Sequence, residues 1–113
     1  MRTAPYEMIN GLSEVIGNYD AVILDLWGVV HDGVTPYPSS IPAMTALREA
    51  GVPVALLSNA PRRSSVVTGR MEDMGIARDL YGPAVASGEI AYRQLVERTD
   101  PWYAKLGRKV LMV

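Results

Sequence analysis

Two short apolar runs each end in a polar group that can do chemistry. Ala21-Val22-Ile23-Leu24 ends in Asp25, and Val52-Pro53-Val54-Ala55-Leu56-Leu57 ends in Ser58-Asn59. A carboxylate can attack an electrophile or hold a cation, and a hydroxyl beside an amide suits the oxygens of a phosphate. Gly28 follows Asp25 and can take backbone angles that a strand residue cannot. Trp27 lies between them, and its indole has a single N–H donor and does not titrate in a useful range. Arg62, just beyond Asn59, either adds positive charge to such a site or is a solvated arginine at a helix start. His31 is the one histidine and sits beside an Asp32-Gly33 turn; a lone histidine there is more often a surface residue than a catalyst. A strand followed by Asp and Gly, taken alone, favours a plain loop cap at Asp25.

The elements that must position these residues form a βαβ pattern. The two apolar runs are short and rich in β-branched residues, which suits strands buried on both faces of a parallel sheet. A helix-sized segment separates them, so both polar ends fall on one rim, where open α/β sheets bind their ligands. Strands are predicted at about 21–26, 52–58 and 84–86, with a fourth at Val110–Val113. Met8, Leu12, Val15 and Ile16 share one face of a predicted short helix before the first strand. Val29 to Val34 reads as a hairpin around Asp32-Gly33, with Asp32 supplying turn chemistry. Ser39 or Ser40 is expected to cap a helix with an Ile41, Met44 and Leu47 stripe that closes at Gly51. Pro61 to Ser65 starts another, striped by Val67, Met71 and Met74 and ended by Gly75; those methionines read as core. Ser87 is expected to cap a third helix, with Glu89 in its first turn, that Asp100-Pro101 breaks.

Composition narrows the classes. A chain of 113 residues with 49% hydrophobic content fits one domain with a modest core. Eleven basic residues nearly balance twelve acidic ones and are scattered, which argues against nucleic acid as a partner. With no cysteine there is no disulfide framework, zinc–thiolate site or Cys nucleophile. The apolar runs are too short to span a bilayer, and Arg2 followed by Glu7 without an apolar segment argues against a signal peptide. A cytoplasmic location is expected. No G-x-G-x-x-G follows a strand, which disfavours dinucleotide binding.

From Tyr19 onward the wording DLWGVVHDG and then LLSNAPR resembles the haloacid dehalogenase (HAD) superfamily of phosphohydrolases, and most closely its class IIA. The resemblance implies an α/β, Rossmann-like parallel sheet flanked by helices. It implies attack by Asp25 on a small phosphate ester through an aspartyl-phosphate. Ser58 would be a second catalytic residue and phosphate ligand, with Gly28, Asn59 and Arg62 also contacting substrate. Mg2+ would be held by Asp25 and the main-chain carbonyl of Trp27. Residues 1–100 would form the N-terminal part of the core, and 101–113 a linker and the first strand of a C2-type cap. The family's later lysine and acidic metal-binding pair have no match in this chain, so the resemblance implies an inactive N-terminal portion. Its unpaired sheet edges would favour a homo-oligomer.

The second departure is Trp27, which stands where family phosphatases carry a second Asp as general acid and base. Two other readings follow. One is a catalytically silent relative used for binding or assembly, for which Trp27 is the best argument. The other is a receiver-like signalling domain, disfavoured because no acidic pair precedes Asp25.

Overall fold

The computed structural model describes residues 6–113; Arg2 lies outside them. Three strands, β1 (Val22–Leu24), β2 (Val54–Ser58) and β3 (Ala84–Ala86), form a parallel sheet in that order. Leu24 pairs with Leu56, and Leu56 with Ala84, so alternate residues of all three strands share a face. Helix α1 (Ser40–Glu49) links β1 to β2, and α2 (Ser64–Asp73) links β2 to β3. Right-handed crossovers taken in the same direction put both helices on one face. There Val54 and Leu56 pack with Met44, Leu47, Val67 and Met71, and with Ile76 and Leu80 beyond α2. Leu56 is 1% exposed, and burying a leucine this fully is worth about 1.5–3 kcal/mol.

Among the described residues the other face is open, which corrects the expectation of strands buried on both sides. Ile23, Leu57 and Val85 point that way and are 69%, 53% and 38% exposed. The apolar runs reflect a sheet that can take helices on two faces, whereas α1 and α2 cover only one.

Three further expectations change at the ends of the chain and in the loop after β1. Residues Met8 to Ile16 form no α-helix; the segment up to Asn18 holds two 3-10 turns, Leu12–Glu14 and Ile16–Asn18. Gly11 and Gly17 lower helix propensity in a segment too short to tolerate it. Residues 110–113 form no strand, pair with none of the three strands and are exposed. The hairpin at Val29–Val34 is reduced to isolated bridges, Trp27 with His31 and His31 with Pro36. The turn itself is as expected: Asp32 Oδ1 accepts from the N–H groups of Val34 and Thr35 at 2.9 and 2.8 Å.

The serines do not cap as expected either. Ser39 makes no capping bond, and Ser40 Oγ donates instead to the Val30 carbonyl at 2.7 Å, tying α1 to the loop after β1. Helix α3 (Ser87–Glu97) also starts without a side-chain cap. Its Glu89 instead accepts from the Ser64 N–H at 3.0 Å and pairs with Arg63 at 2.7 Å, capping α2 from outside. Helix α3 ends at Arg98, in a left-handed conformation, and Asp100 caps the short α4 (Pro101–Ala104). Among the described residues no helix is long and apolar enough to cross a membrane.

Candidate active site

Because the strands are parallel, Asp25, just after β1, and Ser58, the last residue of β2, stand on the same rim of the sheet. Beside Ser58 lies a cleft of about 580 Å3, lined by Trp27, His31, Ser58, Asn59, Arg62 and Arg70 over an apolar floor that includes Leu26, Val67 and Met74. Four residues expected at the site therefore line it: Ser58, Asn59, Arg62 and Trp27. Asp25 and Gly28 do not line it; both are exposed, next in sequence to the lining residues Leu26 and Trp27.

The backbone holds these groups in place. After β1 the chain coils around one acceptor, the Leu26 carbonyl, which takes bonds from the N–H groups of Val29, Val30 and His31. Leu26 is buried and its N–H donates to Asp25 Oδ1 at 2.7 Å, which orients the carboxylate and leaves the residue solvent-facing. Ser58 is buried, and its Oγ accepts from the Ala60 N–H at 3.2 Å, so the hydroxyl proton remains available to a ligand. The loop after it is pressed against α3. A Cβ on Gly88 would come within 2.4 Å of the Arg62 nitrogen, so glycine there permits the approach that sets Pro61 and Arg62 at the cleft.

Charge at the cleft is positive. Arg63 is committed to Glu89 and lies 3.6 Å over the Tyr92 ring, whereas Arg62 faces the cleft and forms no ion pair among the described residues. Arg70, from the last turn of α2, donates to the Gly33 carbonyl at 2.9 Å and so clips the loop carrying Trp27 and His31 to the helix. Sequence reading passed over Arg70, because only the fold brings residue 70 to Gly33; its spacing on α2 is that of an ordinary solvated arginine.

His31 is buried, which corrects its reading as a surface residue. Its Nδ1 accepts from the Gly33 N–H at 3.0 Å, so a neutral ring carries its proton on Nε2. Burial first, and then Arg70, hold its pKa below the usual 6.5, against an opposing pull from Asp32. The unfolded chain therefore takes up the His31 proton first as pH falls. Its contribution to stability is complete above about pH 6.5 and is lost as pH drops towards the folded-state value. Urea midpoints measured at pH 7.5 and 5.5 should fall on acidification, and His31→Gln should remove that part of the fall. An identical fall in the variant would contradict this assignment.

Trp27 is held from two sides. Its indole occupies the space that a Cβ on Gly33 would need, with ring atoms 2.2–2.8 Å from that position, and Gly33 has φ +98. The His31 ring meets it edge-on, with centroids 5.7 Å apart.

A model of the haloacid dehalogenase-like hydrolases matches residues 22–113. Among solved structures, a haloacid dehalogenase-like hydrolase from Brucella suis 1330 is 32% identical with a TM-score of 0.74. That alignment covers 80% of this chain and 33% of the other. A hypothetical protein from Pyrococcus horikoshii OT3 is 25% identical with a TM-score of 0.57, over 74% of this chain and 32% of that one. The chain thus spans about a third of the length of these two structures. No curated protein sequence matches it.

Proposed function

Since the chain belongs to the haloacid dehalogenase-like hydrolases, we propose that it carries the nucleophile and phosphate-binding side of a phosphohydrolase site for a small phosphorylated metabolite. The observation that supports this most is the pairing on one sheet rim of Asp25 with Ser58, beside a cleft faced by two arginines. In this reading Asp25 attacks phosphorus and forms an aspartyl-phosphate, which water then hydrolyses. Ser58 Oγ and the Asn59 amide donate to the phosphoryl oxygens, where charge builds in the transition state. Arg62 adds positive charge. The N–H groups of Gly28, Val29, Val30 and His31 are taken up within the loop, so of that turn the Trp27 N–H, which has no acceptor among the described residues, is the main-chain donor left for a phosphate.

The residues fit magnesium. Hard oxygens are on offer from the Asp25 carboxylate and the Trp27 carbonyl, and no main-chain N–H among the described residues donates to the latter. No cluster of three His, Cys, Asp or Glu side chains capable of holding a metal occurs among the described residues, so with these two oxygens alone Mg2+ would fill most of its coordination with water. When bound, Mg2+ would offset the negative charge of the phosphate. The family resemblance places a lysine and an acidic pair outside this chain, so the 113-residue chain alone is proposed to turn over little.

The test is phosphate release from phenyl phosphate by the full gene product, with Mg2+ and then with chelator. Turnover that is lost with chelator and restored by Mg2+ supports the proposal. Metal-independent turnover would contradict the magnesium assignment, and no turnover would favour a silent binding relative, the reading that Trp27 supports.

A further inference from the structure

We propose that the Trp27 indole is a platform on which the leaving group stacks, so that the substrate is the phosphate ester of a planar, phenol-like or heteroaromatic hydroxyl. This deepens the phosphohydrolase reading above and rests on it.

Three observations point to the same ligand. The first is that Trp27 lines the cleft and is still 57% exposed. An exposed indole can swing, but this one is confined by Gly33, close against the outer atoms of its six-membered ring, and by an edge contact with the His31 ring. Arg70 anchors the Gly33 carbonyl and so steadies the whole arrangement. A ring already held in place loses little freedom when a planar partner stacks on it.

The second observation is the division of the cleft. Ser58, Asn59 and Arg62 give one part of it the hydroxyl, amide and cation that a phosphate needs, and Trp27 with Met74 gives it apolar surface. A ligand that satisfies both is a phosphate joined to an apolar, flat group.

The third is what the lining lacks. No carboxyl group among the described residues lines the cleft, and the one imidazole there, His31, has Nδ1 engaged as an acceptor, which leaves the Nε2–H as its single donor. A leaving group that can depart as an anion needs no proton at that moment. When Asp25 forms its new bond to phosphorus, the bond to the ring oxygen breaks and its electron pair leaves on the aryloxide. The aryloxide takes its proton from water, and a second water releases inorganic phosphate from Asp25. Phenols and heteroaromatic hydroxyls meet this condition and are also the groups that stack.

The experiment is a calorimetric titration with benzylphosphonate, cyclohexylmethylphosphonate and inorganic phosphate. The first two are non-hydrolysable, equally charged and similar in size, and differ in whether the ring is planar. Stacking worth ~0.5–1.5 kcal/mol corresponds to about 2- to 10-fold tighter binding of benzylphosphonate by the unaltered protein. Trp27→Tyr should keep a preference for the planar ring, and Trp27→Leu should bring the ratio to one. Equal affinities in the unaltered protein, or a preference that survives Trp27→Leu, would overturn the platform while phosphate binding still upheld the site. Failure of all three ligands to bind would overturn the phosphohydrolase reading itself, and the platform with it.

Discussion

Replacing Asp25 by Asn is expected to abolish phosphate-ester turnover by the full gene product, with kcat reduced on the order of 10⁴-fold or more. The amide is nearly isosteric, and its oxygen can still accept from the Leu26 N–H that now bonds Oδ1 at 2.7 Å. Asp25 is exposed and lies outside the core, so the fold should hardly notice the change. On the proposed reading, what the variant loses is the anionic nucleophile and one oxygen for Mg2+. Turnover of phenyl phosphate together with a urea midpoint separates the two effects. An unchanged midpoint with activity lost is the expected pair of results. Retained turnover would mean that another group attacks phosphorus, and would remove Asp25 from its role.

The second large effect is expected at Trp27, and it runs in the opposite direction. With an indole there, esters of good leaving groups should react far better than alkyl phosphates, which must be protonated as they leave. Trp27→Asp would place a titratable carboxyl at the cleft and should raise kcat/KM for an alkyl phosphate by up to ~10²–10⁴. The aryl ester should gain little, since its leaving group needs no proton and the stacking surface is gone. The Trp27 carbonyl, the proposed Mg2+ ligand, is main-chain, so the substitution leaves it in place. The comparison is kcat/KM for phenyl and ethyl phosphate in both proteins. Equal rates on the two esters before substitution would show that a proton donor is already present, and His31 would be the first candidate.

The strands and helices were legible where apolar runs and their breakers coincide. Val52 to Leu57 predicted β2, although only one face of that strand is buried, and the Met44 and Leu47 stripe predicted α1, because that helix buries what its spacing says it should. The placement of Ser58 on the same rim as Asp25 followed from parallel topology. What stayed hidden depends on contacts between distant segments. Glu89 read as a favourable first-turn acid of its own helix, but it caps α2. Gly88 carried no local turn signal, since its purpose is the close approach of α3 to Pro61 and Arg62. His31 read as a surface residue because burial comes from the coil around the Leu26 carbonyl, which no periodicity encodes. The hairpin expected there gave way to that coil, although Asp32 kept its turn role. At Met8 to Ile16 an apolar stripe predicted a helix, but Gly11 within it and Gly17 just after it leave only 3-10 turns.

The measurement closest to the central claim is chemical trapping of the phosphorylated enzyme. The full gene product is mixed with phenyl phosphate and Mg2+, quenched, reduced with borohydride, digested and analysed by mass spectrometry. An acyl phosphate on a carboxylate is reduced to the alcohol, so the account expects homoserine at position 25 and at no other acidic residue. It also expects the product to be missing when Mg2+ or the ester is omitted. Homoserine at another position, or turnover that proceeds with position 25 never converted, would contradict it.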